Sequence, residues 1–380
     1  MEKHRTILLA CTVIAGAAML CGCSKTESGL HLSGEISFAT ASRGGQSTKT
    51  VYGDDVKKDD KVYQALNWVK NDVVTIASPQ AVVQNDPNAA HASNYVISQV
   101  TATGVPSTAK VVNEAANGLM WLDNIDTYDF YAIYPKHEEG VITLTPAGEV
   151  EATIPATQDL SGDPGSKSES KTYESTGETL TVNYKVYNPD MKYAFMTAAL
   201  KEFKPVSNTQ TVPITFNPAF TAFEFNVSSQ DDPIELTGFE LLSSDGSDKL
   251  AGTFKMNADG TNIRATGATS SVTADLSTAD AIDDENGLTF TVFTVPVTNV
   301  QPLRIRFTSK DGETTKTSWL DLKYSNKEQA GDNAGKAVQF LAGHKYRIHM
   351  LKLPASQWKI TITAVFEDWV PAEEEIVIYI

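Results

Sequence analysis

Leu180-Thr181-Val182-Asn183-Tyr184-Lys185-Val186-Tyr187 sets an apolar or aromatic residue at every second position and stops at Asn188-Pro189. A period of two, built from β-branched and aromatic residues, turns one side of an extended chain toward a core. The rhythm recurs on both sides. Toward the N-terminus it returns at Val73–Ile76, after Asn71-Asp72, at Phe130–Tyr134, which ends on Pro135, and at Val141–Leu144. Toward the C-terminus it returns at Phe220–Val227, at Leu288–Phe293 and at Leu303–Phe307, which runs to Asp311-Gly312. Tyr346–Leu351 and Trp358–Val365 continue it. Helical patterning is sparse: Val111 to Trp121 has room for a turn or two, and Met191 to Lys201 reads equally well as helix or strand. Ser161 to Gly177, with Gly162-Asp163-Pro164-Gly165, has almost nothing to bury and reads as a long exposed loop. The fold class expected is mainly β, as antiparallel sandwiches.

A chain of 380 residues has room for about two domains. The composition places a division near Asp190 to Thr211. The net charge of −16 argues against a nucleic-acid partner, which requires a basic face to displace counterions from phosphates. Cys11, Cys21 and Cys23 all lie in the first 23 residues, so the body has no disulfide framework, no Cys-ligated metal and no Cys nucleophile. His31, His91, His137, His344 and His349 are scattered, without HExxH spacing. There is no GxSxG or Walker A motif. Asp283-Asp284-Glu285-Asn286-Gly287 lacks the EF-hand spacing and reads as a solvated turn. Acidic residues are numerous, but no spacing selects a catalytic pair. No catalytic residue, metal site or cofactor is therefore expected, and the chain does not read as an enzyme.

Lys3, His4 and Arg5 precede an apolar stretch from Ile7 to Leu20, which is too short to span a bilayer comfortably and has the length of a signal-peptide core. Leu20-Cys21-Gly22-Cys23 resembles the bacterial lipobox, which implies a cut before Cys23 and a lipid on it. Four segments are expected: a lipoprotein signal over 1–22; the lipidated Cys, a first strand and a cleavable loop over 23–45; an N-terminal sandwich over 46–195; and a C-terminal sandwich over 196–380.

The two chain ends carry the sharpest pattern. In Leu30 to Thr40, the side chains of Leu30, Leu32, Ile36 and Phe38 fall on one face of a strand, with Gly34 between them. The strand runs into Ala41-Ser42-Arg43-Gly44-Gly45-Gln46-Ser47-Thr48-Lys49, a small, polar stretch of the kind proteases cut, with Arg43 and Lys49 as trypsin-like sites. At the far end, Glu373-Glu374-Glu375 leads into Ile376-Val377-Ile378-Tyr379-Ile380, where Ile376, Ile378 and Ile380 share a face. A strand this apolar must be covered, either by its own domain or by another molecule whose sheet it completes.

Several short motifs, in order, resemble the fimbrillin-like proteins of Bacteroidales, subunits of type V pili. They are Lys49-Thr50-Val51-Tyr52-Gly53 with Trp68 and Asn71-Asp72-Val73-Val74 (Asn71 standing where Gly is common), Tyr128–Pro135, Ile154-Pro155-Ala156-Thr157-Gln158, Phe216–Phe225, Leu341–Tyr346, and Asp368-Trp369. The resemblance implies two transthyretin-like β-sandwich domains in tandem and export to the outer membrane as a lipid-anchored precursor. It also implies an Arg/Lys-specific processing protease that removes the first strand, and strand exchange with other pilus subunits. Carried over by position, the excised strand is Leu30 to Thr40, the cleavage site Arg43 and the donor strand Ile376 to Ile380. The surface ligand of such an adhesive subunit is left open.

A different reading makes the chain a glycan-binding surface lipoprotein for nutrient capture. It requires an exposed aromatic platform, for which Trp68, Trp121, Trp319, Trp358 and Trp369 are the candidates; the strand patterns around them predict core packing for each.

Overall fold

The computed structural model describes residues 32–42, 51–58, 61–84, 86, 90–103, 106–115, 117–160, 165–172, 179–187, 189–230, 233–277, 279–296, 303–311, 314–322, 340, 342–353, 357–366 and 376–379. Among them the chain is nearly all strand, as the period-two rhythm predicts. The one helical element described is a single 3-10 turn at Met191–Tyr193, capped by the Asp190 carboxylate, which accepts the Lys192 N–H at 3.1 Å.

Seven strands form a closed ring. In order around it they are Tyr128–Tyr134, Met196–Phe203, Thr211–Pro218, Ser37–Ser42, Ser107–Asn113, Ala92–Ala102 and Val73–Ala77. Leu32–Glu35, Leu119–Leu122 and Val82–Val83 make a small sheet beside it. The later part of the chain is dominated by a long sheet running from Gly165–Thr172 through Thr179–Tyr187, Asn286–Thr294, Thr221–Ser229, His344–Leu353 and Gln357–Phe366 to Lys61–Asn67 and Val51–Lys58. Facing it is a five-stranded sheet of Thr157–Gln158, Ser271–Asp275, Glu235–Ser243, Leu303–Asp311 and Thr314–Leu322. The two faces meet through aromatic rings: Phe239 of the five-stranded sheet lies 4.5 Å from Phe225 and 5.0 Å from Phe290 of the long sheet, centroid to centroid, and 5.4 Å from Phe307 on its own neighbouring strand. This is the interdigitated core of stacked sheets.

Several expectations change in detail. The sheets are mixed: Ser37–Ser42 runs parallel to Thr211–Pro218, Thr179–Tyr187 to Asn286–Thr294, and Thr221–Ser229 to His344–Leu353. Parallel neighbours need crossover connections, and these strands are far apart in sequence. The described residues of Val111 to Trp121 hold the end of one strand, Ser107–Asn113, and most of another, Leu119–Leu122, rather than a helical turn. The loop expected over Ser161 to Gly177 contains the strand Gly165–Thr172, paired antiparallel with Thr179–Tyr187. It lies at the end of the long sheet, where pairing with a neighbour's backbone holds it. Strand pairing also runs across the expected division at 195/196, since Met196–Phe203 and Thr211–Pro218 belong to the ring while Thr179–Tyr187 belongs to the long sheet.

The Ile154–Gln158 motif acquires a physical role. The buried Gln158 amide acts as a piece of backbone: it donates to the Phe293 carbonyl at 2.7 Å and accepts the Phe293 N–H at 2.9 Å. Replacing Gln158 with Ala strands both groups, each at about 1–3 kcal/mol. The urea midpoint should fall by the equivalent of about 2–6 kcal/mol at unchanged slope. An unaltered midpoint would mean that water takes the place of the amide.

The long sheet also buries charge. On Thr221–Ser229, Phe223 and Phe225 face the aromatic core, and Glu224 points the other way yet remains buried. Its carboxylate contacts Lys345 Nζ, Arg347 Nε at 3.1 Å and Lys167 Nζ at 3.4 Å. Lys167 also bonds Asn226, which accepts the Thr289 hydroxyl at 2.8 Å. Lys167 comes from the hairpin strand Gly165–Thr172, two strands beyond Asn286–Thr294 on the same sheet, where Gly287 leaves room for the Tyr184 ring: a Cβ there would sit 2.5 Å from it. Burial pushes the Glu224 carboxyl up, but Lys345, Arg347 and Lys167 outweigh it and hold it well below the ordinary carboxylate range.

Candidate functional site: the slot of the first strand

The segment expected as a single strand over Leu30 to Thr40 is divided between two sheets. Leu32–Glu35 pairs with Leu119–Leu122, with a register irregularity between Leu32 and Gly34. Gly34 carries a φ of 139°, a conformation reserved in practice for glycine. Ile36 is the hinge residue, and its N–H donates to the Leu119 carbonyl at 2.8 Å. From Ser37 the chain enters the ring.

There Ser37–Ser42 is held on both sides. It lies parallel to Thr211–Pro218, from Thr211↔Ser37 to Phe216↔Ser42, and antiparallel to Ser107–Asn113, from Ala39↔Lys110 to Ser42↔Ser107. Side chains alternate across it: Ile36, Phe38 and Thr40 are buried, while Ser37 is exposed. The Phe38 ring meets Tyr95 at 5.0 Å and Phe130 at 5.4 Å, both edge to face. Thr40 satisfies its buried hydroxyl on the Ala109 carbonyl at 3.5 Å. The Tyr95 hydroxyl accepts the Leu119 N–H at 2.9 Å, and burial pushes that phenol up. One tyrosine thus ties together the strand that flanks Leu32–Glu35 and the ring that supports Phe38.

The sequence patterns find the insert better than its frame. Ile36 and Phe38 share the buried side, as expected. The two walls were not singled out, although Thr211–Pro218 alternates perfectly, with Val212, Ile214 and Phe216 inward. Cys23, Leu30, Arg43 and Ile380 lie outside the described residues, and Leu32 is described through its backbone pairing with Leu122. At the other end, Ile376–Tyr379 lies antiparallel to Gln357–Phe366 of the same chain, with Ile376 opposite Ile362 and Ile378 opposite Ile360. Its backbone is therefore paired with a strand of its own chain. Among the described residues no cluster of three or more His, Cys, Asp or Glu is placed to hold a metal ion. Asp283 closes its own turn, accepting the N–H groups of Glu285 at 2.9 Å and Asn286 at 2.6 Å.

The described residues thus form a nearly all-β architecture in which Ser37–Ser42 fills a slot in a closed sheet. No protein-family model and no curated protein matches the chain. Solved structures do. A "putative cell adhesion protein" from Bacteroides uniformis is 14% identical, with 89% of this chain and 98% of that one covered at a TM-score of 0.50. A second protein of that description, from Bacteroides ovatus, is 14% identical over 89% and 99% of the two chains, at 0.48. A fimbrial assembly protein from Parabacteroides distasonis is 10% identical over 91% and 99%, at 0.41. At such identities the likeness is one of fold. The fold shared with the Bacteroides uniformis protein agrees with the fimbrillin-like resemblance drawn from the motifs.

Proposed function

We propose that this chain is a subunit of a cell-surface pilus that serves adhesion, exported as a lipoprotein and assembled by strand exchange. The observation that carries this reading is the position of Ser37–Ser42 as an insert between two strands distant in sequence. Ile36, Phe38 and Thr40 plug the ring at alternate positions, and Ile376, Ile378 and Ile380 repeat that spacing at the other end of the chain. Arg43 follows directly on Ser42, the last paired residue, so a cut there separates the insert from the rest of the chain. A vacated slot offers backbone groups on both walls and apolar pockets between them, the two requirements for accepting a foreign strand. The partners of this reading are other pilus subunits, a processing protease, and the outer membrane through the lipid on Cys23. No catalytic role is proposed.

The test is assembly of the chain from residue 24 onward, treated with an Arg-specific protease and followed by native gels and electron microscopy. A ladder is expected, lost in Arg43→Ala and lost again when residues 376–380 are deleted. Cleavage at Arg43 with no ladder in the wild-type chain would sink the strand-exchange reading.

A further inference from the structure

Trp68 and Trp121 are buried, whereas Trp319 is 47% exposed. It stands on Thr314–Leu322, the last strand of the five-stranded sheet, on the side away from the aromatic core. Its surroundings are ordered in rows across three strands: Glu240, Arg306 and Trp319 form one row, and Leu242, Arg304 and Asp321 the next. The guanidinium carbons of Arg306 and Arg304 lie 5.0 Å and 5.6 Å from the Trp319 ring, within cation–π range, and steady the indole. Arg304 is itself clamped by Asp321, with Nε donating at 2.6 Å and Nη2 at 3.3 Å, and Arg306 is paired with Glu240.

We propose that this face is a binding platform for an uncharged sugar ring, stacked on Trp319 and hydrogen-bonded by the flanking Arg–carboxylate pairs. The chemistry selects the ligand class. Two cations and two anions cancel, so an anionic ligand gains no net attraction and would have to displace Asp321 or Glu240. A purely apolar ligand would cover charged groups without satisfying them. A pyranose does neither, because its C–H face can stack on the part of the indole that the two guanidiniums leave exposed, while its hydroxyls serve the remaining carboxylate lone pairs and guanidinium N–H groups at the rim. Side chains already locked in pairs lose little rotamer freedom on binding, which favours a small ligand. The platform lies on a different sheet from the slot, so it goes beyond the assembly reading and stands or falls separately from it.

The test applies the chain from residue 24 onward, uncleaved, to a printed panel of neutral oligosaccharides (lactose, maltose and chitobiose among them) and their sialylated counterparts. The strongest binder is then titrated by NMR. Binding to neutral members is expected, with a shift of the Trp319 indole N–H signal, assigned by its loss in Trp319→Tyr. Trp319→Ala should weaken affinity at least about tenfold, the equivalent of one good aromatic contact, while Trp319→Tyr retains most of it. Binding only to sialylated members, no binding by the folded wild-type chain, or a titration that leaves the Trp319 signal unmoved would each overturn the proposal.

Discussion

Phe38→Ala should cost the intact protein about 3–5 kcal/mol, the usual penalty for emptying a buried phenylalanine site. Phe38 is buried between Tyr95 and Phe130, and both rings are anchored, Tyr95 by its bond to Leu119 and Phe130 by its place in the ring of strands. Such a site collapses poorly, which places the cost toward the upper part of that range. Ser37→Ala on the exposed side of the same strand should change stability by less than about 0.5 kcal/mol. Equilibrium unfolding in urea distinguishes the two; a Phe38→Ala loss no larger than the Ser37→Ala change would show that the ring is not a plug. Under the strand-exchange reading a second consequence follows. After cleavage the weakened insert should leave the slot sooner, so the Phe38→Ala subunit should assemble faster even though its uncut form is less stable.

Glu224→Ala should be comparably severe, about 3–5 kcal/mol, because it takes the carboxylate away from the buried Lys345 and from Arg347. The dependence on pH separates this cause from lost packing. In the wild-type chain the Glu224 carboxyl is held below its usual value of 4.5, so its contribution is complete above that pH and is lost progressively as the pH falls below it. In Glu224→Gln, burial holds the Lys345 ammonium below its usual value of 10.5 without the opposing pull of Glu224. The unfolded chain then binds the extra proton, so stability should rise as the pH rises toward 10.5. A Glu224→Gln variant whose deficit is the same at pH 6 and pH 9 would argue against this cause.

Strand identity was legible at Thr179–Tyr187 and Leu303–Asp311, where apolar and polar residues alternate, but was passed over at the equally alternating Thr211–Pro218. It failed at Gly165–Thr172, where neither side of the strand carries apolar residues and the neighbour's backbone does the holding. Asn71, which departs from the glycine of the resembled motif, is explained by its φ of 76°: asparagine tolerates the left-handed region better than most side-chain-bearing residues. Asp72 then accepts the Val69 N–H at 3.1 Å and completes the turn. Ile36 and Phe38 were readable as one apolar face, but the division of their segment between two sheets was not. It depends on Gly34 and on which distant strands happen to lie alongside, and period-two patterning says nothing about partners. Trp319 was expected in a core because it sits in or beside a strand pattern, yet such a pattern leaves open which face is the wet one.

A closed ring of strands has no unpaired edge to offer other chains. Taking out Ser37–Ser42 therefore does more than vacate a site: it creates two edges at once, Thr211–Pro218 and Ser107–Asn113, facing each other across two strand spacings, roughly 10 Å. Such a pair of edges is reactive toward any extended chain, and the two can also zip directly onto each other. An opened subunit is then a short-lived species in a race between its own walls, stray polypeptide and the intended strand. Under the strand-exchange reading, proteolysis is a question of timing as much as of position, and a cut made before the next strand is at hand wastes the subunit.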